Sequence, residues 1–217
     1  MIENKNVWIT GASSGIGSEL ALNLAQNGNT VVVSARSMDK LNIVIICAGR
    51  CEYIDNAELD TDLFRRVYDV NVFGAVNSAI VALPLLRKAN ISKRGKPRIV
   101  AVASLSAVTG LPRAEAYGSS KAAMIYLFNT LRLDLKKTVD VTIVNPGFVA
   151  TGMTKQNDFP MPFLMQPPQA AQCIIDAVAK RKLTVNFPLR LWLSLKLPSL
   201  IPSVWYRWIG PRLVRSG

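Results

Sequence analysis

A chain of 217 residues, half of them hydrophobic and 18% charged, is long enough for one substantial core and too apolar for disorder. It has no histidine, which excludes Ser-His-Asp and Cys-His catalysis and most zinc sites; no metal site is expected. The net charge of +12 is not a nucleic-acid signature, because eight cations lie after Asp176, beyond which no acidic residue follows, and the tail carries no recognition motif.

Val7 to Ile9 reads as a buried strand. It runs through the small-residue loop Thr10-Gly11-Ala12-Ser13-Ser14-Gly15-Ile16-Gly17 into a helical stripe of Ile16, Leu20 and Leu24. Thr30 to Ser34 is valine-rich, as a buried parallel strand is. A loop placed between strand and helix presents free N–H groups and a positive dipole end, which bind phosphate. In that geometry Gly11 serves the sharp turn, Gly15 the approach of a pyrophosphate and Gly17 the close packing of helix on strand.

A further helix starts at Ser37 to Leu41, and Ile43 to Ile46 is another buried strand, ending at Ala48-Gly49. About six residues, about 20 Å when extended, are left for a crossover that ordinarily takes a dozen or more. A break or a poorly ordered link between about Met38 and Ile43 is the expected consequence. Beyond it, Leu63 to Arg87 and Ala114 to Lys137 are long helical patterns. Ile99 to Ala103 and Val141 to Val144 are strands, the second stopping at Asn145-Pro146-Gly147. Thr151 to Pro168, with three methionines and four prolines, suits a mobile loop over a site. Ala170 to Lys180 is helical, and Leu183 to Phe187 is a last strand. This alternation predicts an α/β fold, a Rossmann-like doubly wound parallel sheet. It fills residues 1–188 as a catalytic domain and leaves 189–217 as a basic, aromatic segment. Cys47, Cys51 and Cys173 form no CxxC pair, and with no leader-like start they point to a reducing, cytoplasmic compartment.

Tyr117 and Lys121, four apart at a helix start, share one face. Ser104 closes the preceding strand, at the carboxyl edge where open α/β sheets bind ligands. A free tyrosine ionises near 10; a nearby ammonium favours the phenolate and brings it towards proton-shuttling range. Ser104 is placed to donate to a carbonyl oxygen that gains charge as hydride arrives.

Together these features resemble the short-chain dehydrogenase/reductase family. The matching stretches are Thr10 to Gly17, Asp69-Val70-Asn71-Val72-Phe73-Gly74, Ser104, Tyr117-Gly118-Ser119-Ser120-Lys121, and Asn145-Pro146-Gly147 with Thr151. They come in the family's order, with Ser104 thirteen residues before Tyr117. The resemblance implies a nicotinamide cofactor and a tetrad. Tyr117 would be the acid/base and Ser104 would orient the substrate oxygen. Lys121 would hold the nicotinamide ribose, and Asn71 would keep a water in the proton relay. It implies cofactor contacts from Gly11, Ser13, Ser14, Gly15, Ile16, Gly17, Ala48, Gly49, Pro146, Gly147, Val149 and Thr151, as well as Tyr117 and Lys121. The sequence departs from the family where Asn-Asn-Ala-Gly reads Ile46-Cys47-Ala48-Gly49. It is also about forty residues short between Arg36 and Ile43, lacking the third strand and the Asp after it.

The second strand ends in Ser34-Ala35-Arg36 with no carboxylate for a ribose 2′-hydroxyl, and the fork of Arg36 suits a 2′-phosphate, so the cofactor expected is NADP(H). Met153, Phe159, Met161, Phe163, Leu164 and Met165 suggest an apolar lid, hence a lipophilic ketone or alcohol. Two readings remain: a reductase or dehydrogenase of such a pair, and a binding protein of the same fold with weak or no turnover. The complete tetrad favours the enzyme. A homo-oligomer is compatible with either. The tail, Leu189 to Arg215, interleaves three tryptophans with basic residues, and Pro198, Pro202 and Pro211 break it into pieces too short to span a bilayer. It reads as lying on the inner face of a membrane, or alternatively as packed on the domain or a partner subunit.

Overall fold

The computed structural model describes residues 1–33, 41–89 and 95–214. Six parallel strands form one sheet in the order β2-β1-β3-β4-β5-β6. They are β1 (Asn6–Thr10), β2 (Thr30–Val32), β3 (Ile43–Ile46), β4 (Arg98–Val102), β5 (Asp140–Pro146) and β6 (Thr184–Phe187). The central strands are apolar on both faces because both faces are covered. Ile43 and Ile45 of β3, with Val100 and Val102 of β4, pack under α1 (Gly15–Gln26) and α5 (Pro167–Ala179). Val44, Ile46, Ile99 and Ala101 project the other way, against α3 (Gly74–Lys88) and α4 (Glu115–Asp134). The expected long helix before β4 is α2 (Thr61–Tyr68) continued through a π turn, Asp69–Phe73, into α3. That run, Thr61–Lys88, is long and apolar enough to cross a membrane, yet Val67, Asn71, Ala75, Ala79, Ala82 and Leu86 along it are buried in the domain.

The shortened connection leaves a clear trace in the sheet. Strands β2 and β3 flank β1 on opposite sides, and β2 is the outer strand among the described residues. The chain from Ser34 to Lys40 lies outside the described residues, and with it the expected helix start, most of the expected break and Arg36. Immediately after it, Leu41 is fully buried, and the Asn42 N–H donates to the Asn6 carbonyl at 3.0 Å.

Parallel strands put all their carboxyl ends on one edge, so Thr10, Cys47, Ser104 and Gly147 meet there. The opposite edge is held by charge. Arg98 is 3% exposed and donates to the Val178 carbonyl at 2.6 Å and to Asp140 Oδ2 at 3.2 Å. Asp140 also receives Arg181 and Lys96. Burial pulls the Arg98 guanidinium below its ordinary range. Removing its carboxylate leaves a desolvated charge with a carbonyl in place of a counter-ion. Asp140→Ala is expected to lower stability in urea unfolding by about 2–3 kcal/mol. NADPH binding should be unaffected, because the cluster lies a full strand length from the site. A loss below about 0.5 kcal/mol would show that Arg98 needs no counter-ion.

Candidate active site

The glycine loop is fixed by close backbone approach. Gly11 has φ +70°, and a Cβ there would lie 2.7 Å from the Ala48 backbone. A Cβ on Gly17 would lie 2.2 Å from the Gly11 carbonyl oxygen. Gly17 thus packs α1 against its own loop, not against the strand as the sequence suggested. The Thr10 hydroxyl accepts from the N–H groups of Cys47 and Ala48, tying the ends of β1 and β3 together beneath the loop. Ser14 precedes α1 in an extended conformation, and its side chain makes no cap bond.

Ser104 follows β4 and accepts from the Ser106 N–H at 3.1 Å. Its hydroxyl is near enough to the Tyr117 phenol to lower the phenol's pKa. Tyr117 lies on the first turn of α4, with Lys121 one turn later and its Nζ 5.8 Å from the Tyr117 ring centroid. Lys121 is buried and donates to the Val102 carbonyl at 3.1 Å, with Met124 Sδ at 3.6 Å. Asn71 sits in the π turn, fully buried. Its oxygen accepts from the Arg50 N–H at 2.7 Å, and its amide donates to the Arg50 carbonyl and the Ser120 hydroxyl. A helix-interior asparagine with three such partners is a tether of the 49–50 turn. Both ends of its amide bond protein, and its oxygen keeps a second lone pair with which to accept from a relay water.

Burial, with the Cys51 thiol second, pushes the Tyr117 phenol upward, and the Ser104 hydrogen bond pulls it back in part. Burial also lowers Lys121 to about 8. Burial thus dominates the Tyr117 shift, where the sequence suggested a pull from Lys121 towards phenolate. The Asn-to-Cys departure is accommodated apolarly: Ile46 joins the core, and burial raises the Cys47 thiol to about 11.

One cleft of about 890 Å³ unites these groups. Gly11, Ser13, Ser14, Gly15, Ile16 and Gly17 line one part, with Ala48, Gly49, Pro146, Gly147, Val149 and Thr151, and Ser104, Tyr117 and Lys121 line the centre. Asn71 lies behind Gly49, where an added Cβ would stand 3.3 Å from Lys121 Nζ and 3.5 Å from Asn71 Oδ1. Arg36 is outside the described residues.

The loop after β5 is tied down rather than loose. Val149 bridges Met165, the Tyr53 hydroxyl donates to Asn157 at 2.8 Å, and Arg113 joins Asp158 to Asp55. Of the expected lid residues, Met153 and Phe159 line the cleft, Met165 packs on the core, and Phe163 and Leu164 face solvent. Tyr53, Arg113 and Asn157 are cleft residues that the sequence did not reveal, since they are distant in the chain and match no motif. Leu191, Leu195 and Trp205 of the tail also line the cleft. Their only sequence signal was an apolar, aromatic composition.

The short chain dehydrogenase family model matches residues 5–42 and 34–160. The chain belongs to the short-chain dehydrogenase/reductase family. This oxidoreductase is 28% identical over 237 positions to an uncharacterized oxidoreductase of Myxococcus xanthus, covering 90% of this chain and 92% of that protein. It is 29% identical over 256 positions to the 11-beta-hydroxysteroid dehydrogenase-like 4A of Arabidopsis thaliana, covering 93% and 84%. Both alignments are longer than the 217-residue chain itself, as a deletion of about forty residues requires. In fold it is similar to a short chain dehydrogenase from Burkholderia cenocepacia in complex with NADP, with a TM-score of 0.83 at 20% identity over 99% of each chain.

Among the described residues no carboxylate pairs with the buried Lys121, and a lysine so placed costs stability. Its native value of about 8 lies below its unfolded value of 10.5. Between those pH values the unfolded chain binds a proton that the native one does not, so stability rises with pH across the window. Below about pH 8 the full cost is present. Lys121→Met is therefore expected to stabilise the protein at pH 7 by about 2 kcal/mol, after allowing for the donor lost by Val102. The gain should shrink towards pH 10. Urea melts at both pH values test this; a gain that does not vary with pH contradicts it.

Proposed function

We propose that this oxidoreductase transfers hydride between NADP(H) and a lipophilic ketone/alcohol pair. The observation carrying this reading is the convergence of Ser104, Tyr117 and Lys121 in one cleft with the glycine loop. The chain fits a dinucleotide. The N-terminus of α1 faces the cleft with an uncapped Ser14, and Lys121 has a third N–H beyond those pointing to Val102 and Met124, available to a ribose hydroxyl. When bound, the reduced nicotinamide supplies the hydride for the carbonyl carbon. Ser104 donates to the carbonyl oxygen and holds it beside Tyr117. The Tyr117 hydroxyl gives that oxygen its proton, so ketone and proton become alcohol. Solvent then reprotonates Tyr117 by way of Lys121.

The cleft wall around the substrate end is apolar, with Leu111, Phe148, Phe159, Leu191, Leu195 and Trp205, and a relative named for hydroxysteroids agrees with a large apolar substrate. The binding-only alternative gives no reason for a buried ammonium four residues from a buried phenol. The preference for NADP rests on Arg36 and on the missing acid at the end of β2.

NADPH oxidation against a panel of lipophilic ketones tests the reading. Tyr117→Phe should lower kcat by about a thousandfold while leaving the NADPH dissociation constant within about twofold. Near-normal turnover would remove Tyr117 as the acid. NADPH should bind at least about tenfold more tightly than NADH, through a charge-assisted contact, and Arg36→Asp should reverse the order. Equal constants would refute the assignment of Arg36.

A further inference from the structure

We infer that the C-terminal segment is a docking surface for an anionic lipid bilayer, built so that the mouth of the cleft opens at the membrane. The tail divides its apolar residues between two faces. Inward, Leu191 and Leu195 of α6 (Leu189–Ser199) and Trp205 of the following turns join Leu105 in a buried cluster. The Trp205 indole donates to the Gly110 carbonyl at 3.0 Å. This anchors the segment to the domain, so the alternative of packing on the domain holds for one face only.

The other face has no such cover. Leu189, Leu193, Leu197 and Leu200 are between 37% and 62% exposed. At about 100° per residue they fall within roughly 80° of one another on the helix surface. Arg190 borders that stripe on one side and Lys196 on the other. Tyr206 and Trp208, 60% and 63% exposed, are further exposed aromatics in the turns after α6, with Arg207 between them in the chain. An outward stripe of leucines edged by cations, with exposed aromatics following it in the chain, is the pattern of a helix lying in a bilayer interface.

Charge selects the occupant. No acidic residue follows Asp176, so a second copy of this face would bring cation against cation. An anionic headgroup layer pairs with the cations and also buries the leucines. The segment also carries the cleft's rim: Leu213 is 53% exposed and lines the cleft, together with Arg212. A lipophilic molecule leaving the bilayer there would enter between Leu191 and Trp205 without crossing water.

The test is flotation of the full chain with phosphatidylcholine vesicles, with and without phosphatidylglycerol, at physiological salt. It requires no turnover, so it stands or falls separately from the hydride-transfer reading. The wild type should float with the phosphatidylglycerol vesicles and hardly with phosphatidylcholine alone. Leu193→Gln with Leu197→Gln keeps the charge and leaves the cleft lining untouched. It should reduce binding at least about tenfold with an unchanged melting temperature. Arg190→Gln with Arg207→Gln should weaken binding by roughly fivefold per cation. Three results would overturn the inference. The wild type could stay unbound on anionic vesicles. The leucine variant could bind as well as wild type, leaving only diffuse attraction of the net charge. Or light scattering could show a wild-type dimer that the leucine variant splits, making the face an interface between copies.

Discussion

The site is organised around one buried cation that has no carboxylate partner among the described residues. Lys121 Nζ is held by the Val102 carbonyl, the last residue of β4, and by the Met124 sulfur on its own helix. Such a charge is tolerated only if its surroundings are fixed, and they are. Gly49 passes so close that even a methyl group would crowd the ammonium. Asn71, in a π turn, grips both main-chain groups of Arg50 to hold that passage in place. The glycine loop rests in turn on Ala48. Catalytic lysine, glycine loop and helix turn are therefore one packed unit, in which each close approach depends on the next.

Much of this was legible in the sequence, because it depends on local pattern. Strands buried on both faces read as valine and isoleucine runs, and β1, β3, β4 and β6 fall within a residue or two of where those runs place them. Ser104, Tyr117 and Lys121 were legible because helix spacing and strand ends fix their geometry. What was not legible depends on contacts between distant segments. The direction of the Tyr117 shift is set by burial among β3, β4 and α4, which a YxxxK motif does not encode. The π turn at Asn71 and the grip of Arg113 on Asp55 and Asp158 likewise bring together residues far apart in the chain. The loop rich in methionine and proline looked mobile because composition reports a lack of regular structure, not the presence of tethers.

The shortened connection changes what the fold supplies. With β2 as the outer described strand, Gly15 still packs so close to Thr151 that a Cβ would lie 2.9 Å from its side chain, and Lys121 Nζ stands 5.8 Å from the Tyr117 ring centroid. The shortened connection carries none of Asn71, Ser104, Tyr117 and Lys121, which all follow β3 in the chain. At the substrate end, the tail adds a wall of Leu191, Leu195 and Trp205. With Leu111, Phe148 and Phe159 these make that end of the cleft apolar.

The central claim is that Lys121 is kept buried and positively charged in order to hold a nicotinamide cofactor beside Tyr117. Titration calorimetry of NADPH into wild type, Lys121→Met and Ser104→Ala tests it most directly, without any knowledge of the substrate. The account predicts that Lys121→Met weakens binding by at least about tenfold, as loss of a charge-assisted hydrogen bond does, while Ser104→Ala leaves it unchanged. Equal affinity in Lys121→Met and wild type would contradict it.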